Sequence, residues 1–98
     1  MIVKIHKSYR YVVAICDSNL IGKKFEEGNL QLDLTGEFYK GEEIEEGKLR
    51  EIIQDMVRED ATFNIVGEES IKLCLECRII KEEGIGKIKG IPYALVLL

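Results

Sequence analysis

The sequence has few of the residues on which disulfide-stabilised, membrane and many catalytic proteins depend. Its 98 residues include one histidine, one proline and three cysteines. An odd and small set of thiols does not make a secreted disulfide framework, so we expect reduced cysteines. Lys4, His6 and Lys7 interrupt the N-terminal segment where a signal peptide needs an apolar core, and no run approaches the roughly 18 apolar residues of a membrane span. We therefore expect a cytoplasmic protein with no membrane partner.

What the chain does contain is enough apolar sequence for one core, with 46% apolar and 33% charged residues. This length predicts a single domain over residues 1–98. The net charge of −4 is unevenly distributed. Residues 1–24 carry five basic and one acidic side chain, a net charge of +4, whereas residues 25–60 carry four basic and twelve acidic side chains, a net charge of −8. One end of the sequence is basic and the middle is acidic.

Segments rich in Val, Ile, Leu and Tyr predict five strands. They cover residues 2–7, 10–16, 29–35, 85–89 and 93–98. The segment before the third strand is expected to be a connecting loop or a short helical turn that ends at Gly28. Together with two helices, the strands predict an α+β fold in which an N-terminal β-hairpin joins a mixed or antiparallel sheet packed against a two-helix layer.

The predicted hairpin joins its strands through Ser8 and Tyr9, which pairs Lys7 with Arg10. Alternation then assigns one set of side chains to the core face: Val3, Ile5, Val12, Ala14 and Cys16. The loop lacks the Asn-Gly pair of a tight hairpin, so a slip of one residue, which exchanges the faces, remains an alternative.

Two helices are predicted from apolar residues at helical spacing. The first covers residues 45–59 and carries a buried stripe made of Leu49, Ile52, Ile53, Met56 and Val57. Acidic residues crowd its N-terminal end, where the helix dipole favours negative charge. The second covers residues 67–78 with a core face of Ile71, Cys74, Leu75 and Ile79.

Several blocks occur in order along nearly the whole chain: VKIHKS, VVAICD, LIGKKFEEGNLQLDL, FYKGE, FNIVGEESIKLCLE and KIKGIPYALV. In this combination they resemble a family of small archaeal proteins called domain of unknown function 424 (DUF424). The resemblance implies an archaeal, cytosolic, single-domain protein and no particular activity. It places the family's recurring positions, mostly backbone-shaping or packing residues, on Gly22, Phe25, Gly28, Asn64, Val66, Gly67, Glu68, Gly90, Pro92 and Ala94.

Cys74 and Cys77 are three residues apart, so a helix places both thiols near one face, where they could share a metal or redox chemistry. Structural zinc needs four ligands, and besides Cys74 and Cys77 the only other cysteine and histidine are Cys16 and His6. The predicted hairpin separates these two by roughly 16 Å. We therefore expect the thiols to pack in the core, with no metal or cofactor, and we assign no catalytic residue; a small metal or thiol protein using Cys74 and Cys77 is an alternative.

Basic and aromatic side chains suggest a surface for binding nucleic acid or a protein partner. They are Lys7, Tyr9, Arg10, Tyr11, Lys23 and Lys24, with Lys87 and Lys89 expected to adjoin them. Lysine and arginine neutralise phosphates, and exposed tyrosines stack on unpaired bases. The sequence thus favours a non-enzymatic module that binds RNA or a ribonucleoprotein of the translation machinery. The apolar segment 93–98 favours an alternative, a protein-interaction or homodimeric module that associates through an edge strand.

Overall fold

The predicted strands assemble into a mixed sheet in the computed structural model, which describes residues 1–97. The strands of this part of the chain are β1 (Ile2–Lys7), β2 (Tyr11–Cys16), β3 (Lys24–Glu27), β4 (Leu30–Asp33), β5 (Glu42–Glu43), β6 (Thr62–Val66), β7 (Gly86–Ile88) and β8 (Ile91–Val96), and its helices are α1 (Glu46–Arg58) and α2 (Glu68–Glu76). The main sheet has the order β5-β1-β2-β6-β8-β7, and β3 and β4 form a separate hairpin. The α+β prediction is confirmed.

Both helices cover one face of this sheet. Leu49 and Ile53 of α1 and Ile71 of α2 share a core with alternate residues of β2 and β6, including the fully buried Phe63. Burial of such side chains stabilises each by roughly 1.5–3 kcal/mol relative to exposure. Neither helix is both long and apolar enough to cross a membrane.

The opposite face is partly covered, in particular where β2 and β6 end. There Leu34 and the β3–β4 residues Phe25 and Leu32 pack around Cys16 and Val66. Because β2 and β6 run parallel and pair Cys16 with Val66, their carboxyl ends lie side by side. This end of the sheet is therefore closed by the β3–β4 hairpin.

The predicted register of the N-terminal hairpin is wrong by one residue, and the one-residue slip is what the structure shows. Lys7 pairs with Tyr11 rather than Arg10, so the loop has three residues. Within it, the Ser8 hydroxyl donates a hydrogen bond to the Arg10 carbonyl over 3.2 Å, which stabilises the longer turn. Val13 and Ile15, and not the predicted Val12, Ala14 and Cys16, therefore share the helix-facing side with Val3 and Ile5.

The remaining strands differ from prediction in four places, one of which is the unpredicted two-residue strand β5. The expected loop or helical turn contains β3, which pairs with β4 outside the main sheet. An unpredicted strand, β6, separates the two helices and lies between β2 and β8. The last predicted strand begins two residues earlier and includes Pro92; Leu98, its predicted end, lies outside the described residues.

Candidate functional site

The loop of the N-terminal hairpin presents an aromatic ring to solvent. The hairpin tip, residues 7–11, joins β1 to β2, and the Tyr9 side chain within it is fully exposed. Lys7 and Tyr11 form the last pair of the ladder, and the Lys7 Nζ lies 5.7 Å from the centroid of the Tyr11 ring. This distance permits a cation–π interaction that orients the lysine beside the tip. The tip thus combines phenolic rings with Lys7 and Arg10.

Two carboxylates limit the basic character of the hairpin tip. Glu59 and Asp60, which follow α1, line the same shallow depression as residues 7–11. A ligand with many phosphates would meet these carboxylates as well as the two cations. The surface that can accept a phosphate is therefore small and centred on the tip itself.

The other four predicted residues lie at the opposite end of the central strands. Lys23 and Lys24 follow the carboxyl end of β2, whose six residues span about 17 Å from the tip. Lys24 Nζ lies 3.3 Å from a Glu26 carboxylate oxygen. Lys87 pairs with Pro92, and Lys89 forms the following turn, beyond the end of β6.

Two of these lysines, Lys24 and Lys89, lie beside carboxylates of the β3–β4 hairpin. The Lys89 backbone N–H donates to a Glu27 carboxylate oxygen over 2.7 Å, which fastens the β7–β8 turn to the tip of the β3–β4 hairpin. The structure consequently brings together Lys7, Tyr9, Arg10 and Tyr11, and it separates them from Lys23, Lys24, Lys87 and Lys89.

The three cysteines have unequal environments. Cys16 and Cys74 are fully buried, and burial is the main cause that raises the pKa of each thiol to about 12. Cys77 is partly buried, and Arg50 Nη1 lies 3.9 Å from its Sγ. Across residues 1–97, no group of three or more His, Cys, Asp or Glu side chains is arranged to hold a metal ion. Two thiols are thus held neutral in the core, and Cys77 is the thiol nearest to solvent.

His6 fastens the loop before β5 to β1. Its ring stacks on Phe38 with 4.6 Å between centroids and an interplanar angle of 12°. Its Nε2 lies 2.8 Å from the Phe38 carbonyl oxygen, which can only accept, so this nitrogen donates the hydrogen bond. Both interactions give the histidine a structural role.

A buried carboxylate that no sequence pattern indicates organises the end of the parallel strands. Asp17, only 5% exposed, directly follows β2. Its Oδ2 accepts a hydrogen bond from the Glu69 backbone N–H over 3.1 Å, and its Oδ1 accepts from the Ser70 N–H over 2.8 Å and the Ser70 hydroxyl over 2.7 Å. Asp17, from the end of β2, therefore caps α2, and the first turn of that helix is not open to an external anion.

Gly67 makes this cap sterically feasible. It precedes α2 with a φ of +110°, and a Cβ at this position would lie 2.2 Å from the Asp17 Cγ. Only glycine leaves room for the carboxylate and adopts this backbone conformation without strain. No local sequence pattern indicates the pair, because the cap and the helix are 52 to 53 residues apart.

Comparison with known proteins places the chain in a family. A family model described as "Protein of unknown function (DUF424)" matches residues 6–98. No curated protein is significantly similar to the chain. The fold is similar to that in the crystal structure of an uncharacterized conserved protein from Methanopyrus kandleri, with a TM-score of 0.85 and 24% identity over 97% of this chain and 88% of that chain. Because the family model covers nearly all of the sequence and confirms the resemblance, the chain belongs to the DUF424 family.

Proposed function

We propose that the chain is a non-enzymatic binding module that contacts single-stranded RNA, free or within a ribonucleoprotein, through the hairpin tip. The observation that carries the proposal is the fully exposed ring of Tyr9 on a loop between two paired strands. An exposed tyrosine on a rigid support offers a stacking surface for an unpaired base. Lys7 and Arg10, on either side of the ring in sequence, supply charges for the flanking phosphates.

The charge distribution favours a short single strand over a duplex. Duplex binding requires many phosphate contacts, and the net charge of −4 together with Glu59 and Asp60 beside the tip opposes them. A helix in the major groove is also disfavoured, because Glu68 and Glu69 form the first turn of α2. A contact of one base and two phosphates fits the tip.

The proposal predicts a weak dependence of binding on salt. Two neutralised phosphates of a single strand give a slope of about −1.4 for the logarithm of the association constant against the logarithm of the salt concentration. Loss of one stacked base costs roughly 1–3 kcal/mol. Tyr9→Ala is therefore expected to weaken binding by roughly 5- to 150-fold.

Fluorescence anisotropy with a labelled, unstructured RNA of about 12 nucleotides tests this proposal. The variant Lys7→Glu with Arg10→Glu should abolish binding while the circular dichroism spectrum is unchanged. Lys23→Glu with Lys87→Glu is the matched control, because it changes the net charge equally at the opposite end of the central strands. Equal loss in the two double variants, or an unaffected Tyr9→Ala, would show that the tip is not the site.

We place this activity in the cytoplasm of an archaeal cell, in association with RNA metabolism or translation. The archaeal source of the similar solved structure supports the origin. Three free cysteines support a reducing compartment. Recovery of no RNA after crosslinking in cells would argue against this assignment.

A further inference from the structure

The outer edge of β8 is paired over only part of its length. β8 extends over six residues, whereas β7 pairs with Ile91, Pro92 and Tyr93. Among residues 1–97, no strand pairs with this edge at positions 94–96. Backbone groups at such an edge form a template for a further strand.

The other edge of the same sheet is covered along its first residues, although Ile5 of β1 is 41% exposed. β5 pairs with Ile2 and Val3, the Gly41 backbone lies against Val3 and Lys4, and Lys7 lies at the far end of β1. Lysines and short covering strands are the usual means by which an edge avoids pairing with another chain. The open part of β8 carries Leu95, and Leu97 directly follows the strand; the two leucines are 61% and 78% exposed.

Charged side chains flank the open edge in an ordered way. Arg78 and Lys81 line a groove with Leu95 and Leu97, toward the carboxyl end of β8. Glu83 lines a second depression with residues 93–95, toward the middle of the strand. The cations and the carboxylate are therefore displaced from each other along the direction of the strand.

We infer that this edge is an interface at which a second copy of the chain adds its own β8 in antiparallel orientation. A two-fold axis near Val96 places Leu95 of each copy opposite Leu97 of the other, which makes two apolar cross-strand pairs. In the same antiparallel arrangement, Lys81 of one copy faces Glu83 of the other copy. The two-fold symmetry forms this contact twice. This complementarity favours a second copy over an unrelated peptide, and the surface is distinct from the hairpin tip.

Sedimentation velocity over a range of protein concentrations tests the inference with variants on exposed positions. The unmodified chain should dimerise. Leu95→Lys should raise the dimer dissociation constant by roughly tenfold or more, because the two-fold axis places each substitution in the interface twice. Leu30→Lys, at a leucine 51% exposed on β4, is the matched control and should leave the constant unchanged. A monomeric unmodified chain at high concentration, or equal effects of the two substitutions, would overturn the inference.

A charge swap tests the identity of the partner. Lys81→Glu and Glu83→Lys should each weaken the dimer, because each places like charges across the interface. The double variant should restore dimerisation, since it exchanges the signs in both copies. A double variant as weak as the sum of the single variants would contradict pairing between Lys81 and Glu83 of two copies.

Discussion

Removal of the carboxylate that joins β2 to α2 is expected to destabilise the fold strongly. Asp17→Ala deletes the acceptor of three hydrogen bonds from Glu69 and Ser70 at the start of α2. Ser70 is fully buried, and water cannot readily replace the lost acceptor. Gly67, the residue before the helix, has no side chain that could act as a substitute cap.

The magnitude follows from the number and burial of these bonds. A hydrogen bond to a charged group contributes roughly 1.5–3 kcal/mol, and an N-cap contributes roughly 0.5–2 kcal/mol. The N-cap is itself one of these hydrogen bonds, so the two contributions cannot be added in full. We therefore expect Asp17→Ala to lower the free energy of unfolding by about 3 kcal/mol. At roughly 4–8 °C per kcal/mol for a chain of this size, Tm should fall by roughly 12–24 °C. Asp17→Asn keeps one oxygen acceptor but places an NH2 group against one of the donors, so it should cost less than Asp17→Ala, roughly 1.5–3 kcal/mol for the lost bond.

Urea unfolding followed by circular dichroism measures both variants. Asp55→Ala is the matched control, because its ion pair with Arg58 lies on the exposed surface of α1 and should contribute less than about 1 kcal/mol. If Asp17→Ala cost no more than Asp55→Ala, the carboxylate would not be holding α2 to the sheet, and the account of this end of the molecule would be refuted.

Two further predictions concern the same region and the thiols. Gly67→Ala should lower the free energy of unfolding by more than about 2 kcal/mol, because the new Cβ meets the Asp17 carboxylate and the backbone φ is +110°. Thermal or urea unfolding measures this change, and a substitution without effect would contradict the close contact between Gly67 and Asp17. At about pH 8, Ellman's reagent should modify Cys77 rapidly, and it should modify Cys16 and Cys74 only on unfolding. Burial raises the pKa of the latter two thiols to about 12 and keeps them protonated. Cys77→Ser should lose the rapid phase, and rapid reaction of all three thiols would contradict the prediction.

Local pattern was sufficient to locate the helices, although Val57 of the predicted buried stripe is exposed. The apolar stripe of α1 locates it to within one residue at each end, and the Glu45 side chain caps it by accepting from the N–H groups of Gly47 and Lys48. The hairpin was also predicted, but its register depends on how Ser8 bonds within the loop, which composition does not reveal. The error of one residue there exchanges the two faces of β2, whereas β1 keeps its predicted core face.

Contacts distant in sequence could not be predicted. β6 is only five residues long and is stabilised by pairing on both sides, in parallel with β2 and antiparallel with β8. Asp17 and Ser70, whose contact caps α2, are 53 positions apart, and the local sequence around neither residue indicates the contact. The basic residues were predicted as one surface because the sequence does not show that β2 separates the hairpin tip from Lys23 and Lys24.

The most direct measurement of the proposed function is ultraviolet crosslinking of the native protein to RNA, followed by mass spectrometry of the crosslinked peptide. The account predicts a nucleotide adduct on Tyr9, and its loss in Lys7→Glu with Arg10→Glu. Adducts confined to the opposite end of the sheet, for example at Tyr93, or no adduct at all, would contradict the hairpin tip as the RNA contact.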